Sequence, residues 1–205
     1  MNVNRIYLSV GLLLLATTGC ESEVQFRFNQ VELIKQEKLQ LSDGQSFAPE
    51  YRDQINTLTT ALFGTPDEPE FPFLMGEDDE AHQILSVENL KRAAGQTNSN
   101  RRDQHLGLYR EHCVHCHGVT GDGAGPTALT LTPYPRDFRL GKFKFKSTPL
   151  RTPPTDHDLQ SILRNGIPGT AMPAFKGLPD DDVAALIDYV KYLSIRGEFE
   201  RPNDF

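Results

Sequence analysis

Cys113-Val114-His115-Cys116-His117 constrains this chain more than any other stretch. Two cysteines three apart, followed at once by a histidine, is the spacing that attaches c-type haem. Both sulfurs can then reach the two vinyl groups as thioethers while the His117 imidazole comes beneath the iron. Competing uses need partners that the sequence lacks. A structural zinc site takes four Cys or His ligands, usually as two paired motifs, and there is no second pair. A redox Cys-x-x-Cys belongs beside a thioredoxin-like βαβ pattern, which is not found. The expected cofactor is one covalent haem c with its iron.

The sixth iron ligand decides what such a haem can do, since an open position admits gases or peroxide and a closed one favours electron transfer. Of three methionines, Met1 belongs to the leader, Met75 lies in an acidic stretch, and Met172 sits in Gly166-Ile167-Pro168-Gly169-Thr170-Ala171-Met172-Pro173-Ala174-Phe175. Turn residues on both sides suit a loop that presents a side chain, so Met172 is the expected partner of His117 on the iron. Core packing is the ordinary use of a methionine and stands as the alternative. His112 and His115 flank the motif, His157 falls at a helix start, and His82 and His105 lie upstream; these are expected to be solvated.

Residues 1–19 read as a secretory signal: Asn4 and Arg5 form its start, and Ile6 to Ala16 an apolar run too short to span a bilayer. Thr17-Thr18-Gly19 then leads into Cys20 in the manner of a bacterial lipoprotein signal, with Thr17 where an aliphatic residue is usual. An ordinary cleaved signal is the competing reading. With Cys20 lipidated and Cys113 and Cys116 on the haem, no cysteine remains for a disulfide. The expected location is the periplasmic side of a membrane, held by acyl chains.

Charge divides the chain. Residues 21–100 carry 6 Lys and Arg against 15 Asp and Glu, whereas residues 101–205 carry 14 against 13. An acidic face of that size argues against nucleic acid or an anionic membrane surface as a partner, since both would be repelled. The acidic extension, 20–98, shows one helical stripe, Tyr51, Ile55, Leu58 and Leu62, then a turn, a Pro/Phe run, the acidic Glu77-Asp78-Asp79-Glu80 and a second candidate helix from Ile84 to Ala94. With so few apolar residues it is expected to drape over the next domain or act as a tether. After the polar break at 96–100 three helices are expected: one delivering the haem motif with Leu106, Tyr109 and Cys113 on a stripe, one capped by Thr155 and Asp158 and stopped by Gly166, and one from Pro179 to near Gly197. The fold class expected is all-α, a haem domain over residues 99–205 behind an acidic, partly helical extension.

Residues of about 99–198 resemble a class I cytochrome c, the Met/His-ligated electron carriers. His117-Gly118 followed by Gly121-Asp122-Gly123-x-Gly125-Pro126 is similar to the loop after that family's haem motif. The resemblance implies that the Pro126 carbonyl receives the ring N–H of His117, and that Tyr109 and Tyr189 meet where the terminal helices cross. His105 stands where the family often has a small residue, with Gly107 as a substitute. In Tyr134-Pro135-Arg136-Asp137-Phe138-Arg139, Tyr134, Arg136 and Arg139 are candidates to bind the haem, the two arginines by neutralising its propionates. Lys142, Lys144 and Lys146 alternate with Phe143 and Phe145; on an extended strand this would be a basic docking stripe, or a solvated edge. The function expected is single-electron transfer rather than catalysis. Its redox partners would be a quinol-oxidising complex and a terminal oxidase, with the chain as tethered shuttle or fixed subunit. A haem enzyme or gas sensor with an open iron position is the alternative.

Overall fold

The computed structural model describes residues 24–40, 49–72, 84–95 and 107–201. Seven α-helices are found among them and no strand: α1 Gln30–Gln40, α2 Pro49–Phe63, α3 Val87–Ala93, α4 Leu108–His112, α5 Val114–His117, α6 Asp156–Asn165 and α7 Asp180–Phe199. The described residues are all-α, as the patterning implies. The signal, Cys20, Met75, His82 and His105 lie outside the described residues.

The long α7 is the axis of the structure. Asp180, Asp181 and Asp182 place negative charge on its N-terminal turn, where the helix dipole favours it. Val183, Leu186, Ile187, Tyr189, Tyr192 and Leu193 are buried along it. The helix runs past Gly197 to Phe199, two residues beyond the expected stop. Gly197 instead serves packing: a Cβ there would meet the Arg139 carbonyl oxygen at 2.3 Å, so its absence admits the short 3₁₀ turn Phe138–Leu140 against α7. The helix carrying the attachment motif breaks at Cys113, where α4 ends and α5 begins. Tyr109 and Tyr189 meet at the crossing of α4 and α7, their ring centroids 4.8 Å apart. Gly107 does not serve that crossing; it abuts the backbone of Ala94 and Gly95.

The described part of the acidic extension shares the core of residues 107–201. Phe26, Phe63, Phe71, Leu85, Leu90 and Ala93 are buried in the same apolar cluster as Tyr109, Leu186 and Tyr192. Helix α3 packs along α7, and the buried Asp188 carboxylate accepts from the backbone N–H of Ser86 and the side chain of Asn89, at 3.1 and 2.7 Å. Arg110 pairs with Asp67, Tyr192 donates its hydroxyl to the Phe63 carbonyl, and Tyr189 donates to that of Pro66. The candidate helix at 84–94 is shorter than expected, because Ser86 caps it by accepting from the Asn89 N–H. On α2 the expected stripe is not the buried face: Thr59 and Phe63 are buried while Leu58 is exposed.

Candidate functional site

A cavity of about 310 Å³ opens between the α4–α5 corner, the 131–145 segment, the C-terminal half of α6 and the Met172 loop, with Ile187 and Val190 of α7 as its back wall. Cys113, Cys116, His117 and Met172 all line it, so the structure brings together the residues on which the sequence reading rests. The rest of the wall is mostly apolar, including Leu131, Phe138, Phe143, Leu159 and Leu163.

The cysteines are not joined to each other. Burial pushes the Cys113 thiol up to about 12, with the neighbouring Cys116 adding to the effect. A free thiol there stays protonated and is a poor nucleophile, unlike the low-pKa cysteine of a thiol–disulfide enzyme. His117 is held from two sides. Its Nδ1 lies 3.0 Å from the Arg136 carbonyl oxygen, and its ring stacks on Phe138 at 4.4 Å between centroids and 21° between planes. A carbonyl only accepts, so Nδ1 carries the proton and Nε2 keeps the lone pair that a metal needs. Burial holds the imidazole below its ordinary range, which also favours the neutral form.

The carbonyl that faces His117 therefore belongs to Arg136, not to Pro126. The Gly125–Thr127 turn is tied elsewhere: Gly125 N–H donates to Cys116 at 3.1 Å and Thr127 N–H to His115 at 3.0 Å, both carbonyls of the motif helix. That leaves Pro126 exposed and outside the cavity wall.

Met172 sits on a loop whose backbone is braced. Gly166 ends α6 at φ +67°, and a Cβ on it would meet the Met172 carbonyl oxygen at 2.7 Å. Ile167 N–H donates to that carbonyl at 3.2 Å. Met172 N–H donates to the Thr170 hydroxyl at 3.1 Å, which itself donates to the Ile167 carbonyl at 2.8 Å. Phe175 N–H closes the loop onto Leu163 at 2.8 Å. Below the loop, the Arg164 guanidinium donates to the carbonyls of Phe175 and Leu178 and pairs with Asp180.

A model of the family described as cytochrome c oxidase, cbb3-type, subunit III matches residues 103–190. Residues 103–190 are a c-type cytochrome domain. Its cavity fits the covalent haem c that such a domain carries. Two unpaired cysteines stand at the wall beside an imidazole with its Nε2 unprotonated, and the surroundings are apolar enough to exclude water from a flat aromatic group. Among solved structures, a chain of the Kuenenia stuttgartiensis reducing HAO-like protein complex is 33% identical over 41% of this chain and 38% of that one. Its TM-score of 0.40 is too low to bear on the fold. No curated protein matches the chain.

The remaining candidates of the cytochrome domain divide. Tyr134 and Arg136 line the cavity. Arg139 does not: its guanidinium is held by Asp137 at 3.0 and 2.8 Å and reaches the Arg27 carbonyl at 3.2 Å, so it fastens the N-terminal segment. The lysine stripe is also not as expected. Phe143, Lys144 and Phe145 all contribute to the cavity wall, while Lys146 turns inward onto the carbonyls of Thr148, Pro149 and Thr152. Sequence reading missed Phe138 and Arg164. The only trace of the latter was a basic residue in the last turn of α6, next to Gly166.

Proposed function

We propose that the chain is a mono-haem electron carrier of a bacterial respiratory chain, anchored to a membrane by lipid on Cys20. It would exchange electrons between a quinol-oxidising complex and a terminal oxidase. In this reading Cys113 and Cys116 would form the thioethers, and His117 and Met172 would hold the iron. The observation that carries it is the placement of Met172 on a braced loop in the same cavity as His117. A thioether closes the sixth position and raises the reduction potential relative to a second histidine.

Haem, when bound, supplies the one-electron iron couple. The chain's own residues then have three tasks. His117 must keep one tautomer, which the Arg136 carbonyl and the Phe138 ring enforce. Met172 must return to one place in both oxidation states, which the hydrogen bonds of its loop secure. Water must be kept from the site, which the wall of Leu159, Leu163, Ile187 and Phe143 does. Arg136 and Tyr134 stand at the wall where polar haem substituents can be met. No helix among the described residues is long and apolar enough to cross a membrane, which is compatible with anchoring by lipid.

Two measurements on the purified, reduced protein test this. A pyridine haemochrome assay should give one haem per chain, and carbon monoxide at neutral pH should leave the reduced spectrum unchanged. Carbon monoxide binding would favour the gas-sensor or enzyme reading instead.

A further inference from the structure

Both groups that hold His117 come from one short segment: Arg136 supplies the carbonyl 3.0 Å from Nδ1, and Phe138 supplies the ring stacked on the imidazole. Whatever fixes that segment therefore fixes the tautomer and the basicity of the ligand. One tie is local, from the Phe138 N–H to the Gly121 carbonyl at 2.8 Å. The other is Arg139, a buried arginine. Its backbone N–H and its Nε both donate to Asp137 Oδ1 at 3.0 Å, and its Nη2 donates to Oδ2 at 2.8 Å. That leaves Nη1 to reach the Arg27 carbonyl at 3.2 Å, which binds residues 136–139 to a part of the chain 112 residues earlier.

The segment that receives Arg139 is itself packed. Phe26 is buried, with the Tyr192 ring 6.2 Å away and the Arg196 guanidinium 3.9 Å from its centroid. Asn29 N–H donates to Glu200 at 3.3 Å. Between them Arg27 pairs at 3.6 Å with Asp122, whose carboxylate lies against Gly118, the residue after His117. Residues 26–29 so approach the ligand by two routes, through Arg139 and through Asp122. The first is the firmer: its donors are charged and shielded from water, whereas the Arg27 side chain is 65% exposed and its ion pair is open to solvent.

We propose that residues 26–29 of the acidic extension help set the reduction potential of the haem, with Arg139 as the positioning residue that transmits their hold to the Arg136 carbonyl and the Phe138 ring. The inference rests on His117 holding the iron. It gives the extension a task that a tether does not have. An acceptor on Nδ1–H makes the imidazole a stronger donor, which favours ferric over ferrous iron. A slackened carbonyl therefore raises the midpoint potential.

Two variants of the haem-loaded full chain test it, each leaving the charge near the haem unchanged. Arg139→Lys keeps the cation but cannot span Asp137 and Arg27 at once, and Phe26→Ala releases the N-terminal segment from α7. Leu90→Ala, which empties a buried site on α3, is the comparison for a general loss of stability. Hydrogen exchange of the His117 ring N–H is read by NMR on the reduced protein, and the midpoint potential by redox titration. In Arg139→Lys and Phe26→Ala the exchange should be severalfold faster than in the parent and the potential higher, while Leu90→Ala should match the parent in both. Parent-like exchange and potential in either of the first two variants would overturn the inference, and so would the same changes in Leu90→Ala. A potential that falls would overturn it too, since water reaching the iron, not a slack carbonyl, has that sign. If the His117 ring protons of the parent show no upfield shift from the haem ring current, His117 is not on the iron, and the ligand reading itself fails and the inference with it.

Discussion

Arg164 ties the Met172 loop to the helix that follows it, and Arg164→Met isolates that contribution. The methionine keeps most of the aliphatic stem's packing but removes the guanidinium that donates to the Phe175 and Leu178 carbonyls and pairs with Asp180. A hydrogen bond from a charged donor contributes about 1.5–3 kcal/mol. The Arg164 side chain is 22% exposed and that of Asp180 is 88% exposed. Water can therefore replace part of what is lost, and the ion pair itself contributes little. Taking the two carbonyl bonds at the low end gives a net loss of about 2–3 kcal/mol. For a chain of this size that lowers the thermal midpoint by about 5–10 °C. The loop should loosen before the helices unfold, so the near-red methionine-to-iron absorption of the oxidised protein should fade at a lower temperature than the far-ultraviolet helix signal. Arg164→Lys, with one ammonium in place of a fork, should recover part of both. A methionine variant whose midpoint and absorption match the parent's would refute the claim that this side chain braces the ligand loop.

Four further outcomes follow from the structure. Gly166→Ala adds a Cβ at a positive φ and 2.7 Å from the Met172 carbonyl oxygen; about 1–3 kcal/mol should be lost, seen as a lower urea midpoint. Phe26→Ala empties a buried aromatic site against Tyr192 and Arg196 of α7, costing about 3–5 kcal/mol, and protease cleavage near residue 26 should become faster. The Asp158 carboxylate is held down to about 2, first by the Thr155 N–H and also by the Ser147 N–H and both hydroxyls, which hydrogen-bond its charged form. Its folded pKa lies below the ordinary 3.8, so its contribution is full above 3.8 and is lost as pH falls toward about 2. The stability gap between the parent and Asp158→Asn should therefore be constant at neutral pH and shrink through that acid window; a gap that instead closed at neutral pH would contradict the assignment. Cys113→Ser should leave haem attached through Cys116 alone, giving a denatured mass that still includes haem and a red-shifted pyridine haemochrome band.

The site was legible where one residue type in one spacing admits one chemistry. The attachment motif is such a case; Met172, framed by Gly166 and Pro173, had core packing as an alternative, and the fold places it in the same cavity wall as Cys113, Cys116 and His117. The Thr155/Asp158 capping box was also readable, because both of its bonds are local. What could not be read depends on contacts between distant segments. The acidic extension, too poor in apolar residues for a core of its own, was left to drape over the next domain or to act as a tether; which holds depends on Phe63, Leu85 and Leu90 burying themselves against α7, more than ninety residues away. Helix α1 gave no stripe, since Leu33 is its one deeply buried apolar side chain and Asn29 caps it through the Glu32 N–H at 3.2 Å. Arg136 and Arg139 are alike in sequence. The fold alone separates them, through the Asp137 carboxylate that holds Arg139 toward the N-terminal segment. The acceptor for His117 was misplaced for a related reason: a backbone carbonyl has no sequence signature, and the Arg136 carbonyl reaches the ring only because Gly121 draws the segment in, its carbonyl accepting from Phe138 N–H at 2.8 Å.

The claim that organises this account is that His117 and Met172 together close the iron's axial positions and leave it an electron carrier. Near-red absorption spectroscopy of the oxidised, haem-loaded protein tests it most directly. The account predicts the weak methionine-to-iron charge-transfer band in the parent and its loss in Met172→Ala. A parent without the band, or a Met172→Ala protein that retains it, would contradict the account.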